Sequence, residues 1–474
     1  MATEGDDVHV HCNQDGGSTT TATDDDRISG LSDDLLHSIL LRLNSTPEAA
    51  RTSVLSRRWR RVWAALPELC LPYRHESPFS AEPVCRRISE ALAACSAPAV
   101  RRLEIWLPLT WTHFPRHRVA RWLRFASRRL AGELRLHMAP TRYDHDDDGR
   151  ALVLPPCPRA TAIRVDLSGN ELRFEPAASS SSSAAGSGAF TALRTLRIEH
   201  GRVGSRELED AVSSRCPSLK ELVLGHVHII PYGASGLCVR SDSLERLEIF
   251  GGNMLRDRLE VAAPKLRSLK VAARVALQPW YSLPDDTRIV APMLSELCWD
   301  GRYDYDPSCH RLEVGRHLQR LYVETNTSAM ELMQLFDTIQ ELVLTVDIPE
   351  GMDEYRRFLK DRNDVTKCKV LIVTFIGEEH AHRPTMLYLL QKCTCIRKLE
   401  LFWGSSDEEV EIHFDESESY ELLGLIELLL KKALILKKII LSYDEASNVS
   451  LLSKNDVCKK VRSMCHPNIK VEFT

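Results

Sequence analysis

A short phrase, Leu-x-x-Leu-x-aliphatic or aromatic, returns along this chain and limits what it can fold into more than any other feature. It stands at Leu193-Leu196-Ile198, Leu219-Leu222-Leu224, Leu244-Leu247-Ile249, Leu266-Leu269-Val271, Leu294-Leu297-Trp299, Leu318-Leu321-Val323 and Ile339-Leu342-Leu344. Successive first positions lie 26, 25, 22, 28, 24 and 21 residues apart. Inside the phrase apolar residues fall on alternate positions, the period of a strand with one buried face. A unit this short cannot bury that face alone. Neighbouring units must therefore stack, and the product is an arc lined by an extended parallel sheet.

Further copies at Val100-Leu103-Ile105, Ile396-Leu399-Leu401 and, more loosely, Leu436-Ile439-Leu441 extend the series both ways. Between Arg116 and Leu136, Val119, Trp122, Leu123 and Leu130 recur at helical spacing and lead into Glu133-Leu134-Arg135-Leu136, which reads as a helix followed by a strand. The spacing is that of a leucine-rich repeat, whose unit is about 20–29 residues. The expected fold class is α/β: a short amino-terminal helical module, then a leucine-rich repeat solenoid with a curved parallel sheet and helices on its convex side. The solenoid is expected over residues 99–443, after a linker or first repeat at 69–98 and before a carboxyl-terminal cap at 444–474. Surface insertions are expected near 144–149 and over the Ser-rich stretch near 177–189.

Residues 1–26 hold seven acids, no Lys or Arg, and a Gly/Ser/Thr-rich stretch. Their apolar content is too low to offset ordering entropy, so a disordered tail is expected. From Arg27 the pattern changes. Leu31, Leu35, Leu36, Ile39, Leu40 and Leu43 share a helical face, with Ser32 placed to cap and Asp33 and Asp34 in the first turn. Thr46-Pro47-Glu48 announces a second helix with Thr46 as its cap, and a third follows Ser56, carrying Trp59, Val62, Trp63 and Leu66 and stopping near Pro67. Helices in a module of about forty residues cannot bury all that apolar surface against each other, so the remainder should dock onto something.

The segments Asp26-Arg27-Ile28-Ser29, Leu31-Ser32-Asp33-Asp34-Leu35-Leu36, Ile39-Leu40 and Arg51-Thr52-Ser53-Val54-Leu55-Ser56-Arg57-Arg58-Trp59 resemble a plant-type F-box over residues 27–68. Ser32 departs from that pattern, which usually has Pro after the first Leu. The resemblance implies docking on a Skp-type adaptor and, through it, on a cullin-RING ubiquitin ligase. By position, Leu31, Leu35, Leu36, Ile39, Leu40, Val54, Leu55 and Trp59 would face the adaptor or form the module, and for Leu36, Ile39 and Trp59 both roles stay open. An F-box ahead of irregular repeats resembles the plant F-box/leucine-rich repeat family. The stretch 368–474, with Tyr420–Leu434 read as helical and Leu436–Leu441 as extended, is weakly similar to that family's FBD-type region. The implied function is a non-catalytic substrate-recognition subunit of a Skp-cullin-F-box ligase, its repeats binding a protein target. The alternative is a leucine-rich repeat scaffold or nucleic-acid binder whose F-box is out of use.

Other chemistry finds less support. Asp144-His145-Asp146-Asp147-Asp148-Gly149 begins like a calcium loop, but the position for its bidentate Glu is Pro155. His9-Val10-His11-Cys12 has no second ligand cluster. No nucleophile elbow, zincin helix or phosphate loop occurs, and no cofactor is expected. Arg116, Arg118, Arg121, Arg124, Arg128 and Arg129 interleave with apolar residues, as on the solvated face of a packed helix, although an inositol phosphate or an acidic target segment could use them. The net charge of −4 gives no general case for nucleic acid. Fourteen scattered cysteines without C-x-x-C pairs fit a reducing compartment, so a nuclear or cytoplasmic location is expected. Charges interrupt the most apolar late stretch, Leu422–Leu441, and no membrane segment is read. Every Lys or Arg before Lys220 is Arg, so any lysine-linked modification of the chain must fall at Lys220 or later.

Overall fold

The structure is a computed structural model. It describes residues 28, 30–72, 82–107, 116–138, 151–175, 190–230, 236–251, 258–272, 286–300, 305–323, 331–348, 367–377, 398–403, 438–441, 459–460, 462–464 and 470–473. The expected tail at 1–26, the insertions at 144–149 and 177–189, the His9 cluster and the helix at Tyr420–Leu434 lie outside them.

Three short α-helices open the described chain: α1 (Asp33–Leu41), α2 (Thr46–Arg51) and α3 (Arg57–Ala64). Ser32 caps α1 by accepting from the Leu35 N–H, and Ser56 caps α3 by accepting from the Trp59 N–H. The second cap differs from expectation. Ser45 accepts from the Glu48 N–H, so α2 begins at Thr46 itself. The freed Thr46 hydroxyl accepts instead from the Cys70 N–H at 2.8 Å, outside the module. Leu36, Leu40, Ala49, Trp59, Val62 and Leu66 form a small core of their own, with Leu31, Leu41 and Trp63 packed against it.

Among the described residues the chain from Glu68 builds one parallel sheet of fifteen strands, running from Glu68–Leu71 to Lys470–Phe473. The phrase sets its register: Leu69 pairs with Leu103, Leu196 with Leu222, and Leu342 with Leu371, and the row ends at Val471. Each interior position of the phrase between Leu193 and Leu344 is buried in one continuous core. The sheet also reaches beyond the expected bounds. Leu66-Leu69-Leu71 is itself a copy of the phrase, so 69–98 holds a first strand and helix α4 (Glu82–Ala94) and is a repeat, not a linker. At the other end Lys470–Phe473 pairs with Lys438–Leu441, so the last residues continue the sheet.

The second layer departs further. Helix α5 (Arg116–Arg129) leads into the strand Leu130–His137 as expected, and a short α6 spans Ser205–Asp210. Residues 331–334, 459–460 and 462–464 are also helical, but between Leu152 and Val314 much of the described part of this layer is stranded. Leu152–Leu154, Glu171–Phe174, Arg202–Gly204 and His228–Ile230 form a four-stranded parallel sheet. Leu237–Arg240, Leu259–Ala262, Thr287–Ala291 and His310–Val314 form another. Units of this length leave few residues between main-sheet strands, and pairs such as Leu259 and Val261 are spaced for a strand with one buried face.

Candidate functional site

Two surfaces present candidate functional side chains. The first is apolar and lies on the helical module. Leu35 and Ile39 project from α1 with 52% and 44% of their surface exposed, and Val54 and Leu55, in the turn before α3, with 84% and 64%. Arg58 holds this turn to the start of α1: its guanidinium donates to the Leu31 carbonyl and, at 2.7 Å, to the Asp33 carboxylate. These four aliphatic side chains stand outside the module's core cluster, and exposed apolar surface of this kind marks a candidate contact surface.

The second surface is the outward face of the main sheet. Register places Glu104, Arg135, Arg164 and Arg197 side by side along its middle row. Carboxylates hold the arginines: Arg135 contacts Glu133 at 2.9 Å, Arg164 pairs with the same Glu133, and Arg197 donates to Glu199 at 2.7 Å. Burial raises the pKa of Glu104, but hydrogen bonds from Trp106 and Arg102 and the nearby arginines outweigh it and hold the carboxyl below its ordinary range. Glu199 is lowered in the same way: burial opposes, and the Arg197 guanidinium prevails.

A rim of rings runs beside this row. Trp106, 42% exposed, stacks on His137 with centroids 3.6 Å apart, and its indole N–H donates to Glu104 at 2.6 Å. Further on, His200 lies 3.3 Å from Asp166 and stacks on His226 at 5.0 Å, and His226 meets the edge of Phe250 at 5.6 Å. Burial depresses the pKa of His137, and burial followed by His200 depresses that of His226. Both stacked imidazoles sit at positive φ, 50° for His200 and 51° for His226, and Gly251 follows at 63°. A Cβ on Gly251 would come within 2.2 Å of the His226 ring, so glycine leaves the space the stack occupies. Tryptophan and arginine held rigidly on a face are the residue types that dominate protein contacts.

A protein-family model described as FBD-associated F-box protein At5g56370, LRR repeats, matches residues 119–360, just over half of the chain. The chain belongs to this F-box/leucine-rich repeat family. Among curated Arabidopsis thaliana relatives, one F-box/LRR-repeat protein is 40% identical over 80 residues, 17% of this chain and 22% of the relative. Another is 27% identical over 301 residues, 60% of this chain and 56% of the relative. F-box/LRR-repeat protein 25 is 26% identical over 255 residues, 52% of this chain and 85% of its own length. The chain thus matches between about a fifth and just over half of the first of these plant relatives.

Set in this F-box/leucine-rich repeat frame, the eight residues singled out from sequence divide. Leu35, Ile39, Val54 and Leu55 are exposed and share the outer surface of the module. Leu36, Leu40 and Trp59 are buried in its core at 1%, 2% and 9% exposure, and of the two roles open to them this is the one inside the module. Leu31 is half-buried and packs on that core. Of the Arg helix, Arg118 pairs with Glu82 and Arg129 donates to the Ala97 carbonyl at 2.6 Å, while Arg121, Arg124 and Arg128 stand exposed. Sequence reasoning missed the outward rows. Their alternation within each phrase signals that they face out, but only register shows that Glu133 serves Arg164. Among the described residues no group of three or more metal-binding side chains occurs, and no helix is long and apolar enough to cross a membrane.

Proposed function

We propose that this chain is the substrate-recognition subunit of a Skp-cullin-F-box ubiquitin ligase, acting inside the cell without catalytic chemistry of its own. The helical module docks on a Skp-type adaptor, and the outward sheet face takes a protein target. The complex then brings target lysines to a ubiquitin-charged enzyme by proximity. The observation that carries the reading is the exposed set Leu35, Ile39, Val54 and Leu55 on a module whose core is complete without them. Family membership supports it. For the target, the rigid Trp106–His137 stack beside the arginine row supports contact with a protein segment.

The test is capture of a plant Skp-type adaptor by the full chain and by a Leu35→Asp/Leu55→Asp variant. Both positions are exposed, so the variant should fold and melt like the parent while adaptor capture is lost. A folded parent chain that captures none of several adaptors would overturn the reading and favour a repeat scaffold with an unused F-box.

A further inference from the structure

The first 219 residues contain 29 arginines and no lysine, whereas from Lys220 onward 16 lysines stand beside 17 arginines. The fold turns this boundary in sequence into one in space. Lys220 stands at the entrance to Glu221–Gly225, the sixth strand of the main sheet, so the lysine-free body is the helical module with the first five strands. At about 4.8 Å per strand, Lys220 lies about 24 Å along the sheet from its first strand.

Structural need accounts for part of this usage. Arg58 spans the Leu31 carbonyl and Asp33, Arg129 reaches the Ala97 carbonyl, and Arg215 donates to the Glu175 carbonyl while lying over the Phe190 ring. These contacts suit a planar fork, which an ammonium does not supply. The same is not true of Arg121, Arg124 and Arg128. They are exposed on α5, and their guanidinium groups have no hydrogen bond or ion pair among the described residues. Lysine would keep such a face solvated equally well, so the fold does not demand arginine there.

We infer that the lysine-free body shields this receptor from its own ligase and confines self-modification to Lys220 and the residues beyond it. The inference rests on the receptor reading above. The module and first repeats are joined by backbone and side-chain bonds: Thr46 Oγ1 accepts from the Cys70 N–H, the Ala64 carbonyl from the Ser96 N–H at 2.7 Å, and the Pro67 carbonyl from the Arg101 N–H at 2.6 Å. An amine on this body would be held at fixed range from a ubiquitin thioester on the same complex, at high effective concentration. In transfer, the neutral ε-amine adds to the thioester carbonyl and the C–N bond forms. The C–S bond then breaks, the thiolate leaves with its electron pair, and the excess proton on nitrogen passes to solvent. A guanidinium stays protonated and cannot begin this sequence.

The test is reconstitution of the full chain with a Skp-type adaptor, cullin, RING protein and ubiquitin-charging enzymes, followed by mapping of ubiquitin remnants. An Arg121→Lys/Arg124→Lys/Arg128→Lys variant is run beside the parent and beside a control with Arg246→Lys, Arg288→Lys and Arg320→Lys. Unchanged melting confirms the fold of each. The expected result is remnants only at Lys220 or later in the parent. The helix variant should show new remnants on α5 and a severalfold rise in total modification, and the control no such rise. Modification of native lysines with none at the new α5 lysines overturns the inference and leaves the receptor reading standing. Failure to retain the adaptor, or no modification of any lysine, overturns the receptor reading and this inference with it.

Discussion

The helical module and the repeat arc handle apolar surface in opposite ways. The module encloses six buried residues and leaves Leu35, Ile39, Val54 and Leu55 in solvent. From Leu69 to Val373 the arc buries the inward positions of its strands in one continuous core, and it turns outward a face on which charges are already paired, Arg197 with Glu199 and Arg320 with Glu341. The difference is one of size. A module of about forty residues cannot enclose its own apolar surface, whereas each repeat borrows burial from its neighbours. The first surface is therefore suited to a permanent partner that supplies the missing burial, and the second to selective contact by pre-oriented polar and aromatic groups.

The largest expected effect falls in the arc. Leu222 is fully buried and lies in register between Leu196 and Leu247, so Leu222→Ala leaves a cavity that neighbours on both sides line. A loss of about 2–5 kcal/mol is expected. Hydrogen exchange should show lost protection spreading to the adjacent strands while α1 and α3 keep theirs. Protection lost equally in the module would break the comparison, because the two cores would then unfold as one. Next comes Ile39→Asp on the module. Adaptor binding should weaken by about 2 kcal/mol or more if the position lies at the centre of the contact, while thermal stability shifts by no more than about 0.5 kcal/mol, as for an exposed substitution. A stability loss as large as that of Leu222→Ala would place Ile39 in the core.

Thr46→Val probes the joint between the two regions. The valine keeps the shape and removes the acceptor for the Cys70 N–H, at a position only 3% exposed. An unsatisfied buried donor costs about 1–3 kcal/mol. The expected readout is a melting curve that separates into a module transition and an arc transition. A single transition of unchanged midpoint would show that the joint does not depend on this bond.

How far sequence alone reaches differs between the regions. The strands of the arc were legible because each burial decision repeats with the phrase, and the cap Ser32 because one side chain meets its own next turn. Thr46 was misassigned because its hydroxyl has a distant partner, 24 residues away in the first strand. Residues 69–98 could be read as linker or first repeat because Leu66 serves both the module core and the phrase Leu66-Leu69-Leu71. The strand Lys367–Gly377 hid behind Cys368, buried where the phrase has Leu. In the module, helical spacing marks a face without saying how wide a neighbour covers it, so Leu35 and Leu36 look alike in sequence and differ in burial. The outward rows of the arc are cross-strand objects. Glu133 and Arg164 are 31 residues apart and meet only through register.

The smallest expected effect is a dependence on pH that belongs to the arc. Burial holds the pKa values of His137 and His226 below the ordinary value, so the folded state favours neutral rings. An unfolded chain has histidines near about pH 6.5, so below that point it takes up protons that the folded rim resists. Stability that is complete above that pH is therefore lost as pH falls through the folded values. The depressed Glu104 and Glu199 act with the same sign in a lower window, because unfolded glutamate titrates near about pH 4.3. The windows separate the two contributions. A His137→Phe/His226→Phe variant keeps aromatic faces for the stacks and removes their titration. Its melting temperature, followed from about pH 7.5 to about pH 5, should fall less steeply than that of the parent over this range and in parallel with it below. Equal slopes in the upper window would mean that the rim histidines are solvated alike in the folded and unfolded chain. The rigid stack on the outward face would then lose its electrostatic support, and the contrast with the module would rest on the arginine row alone.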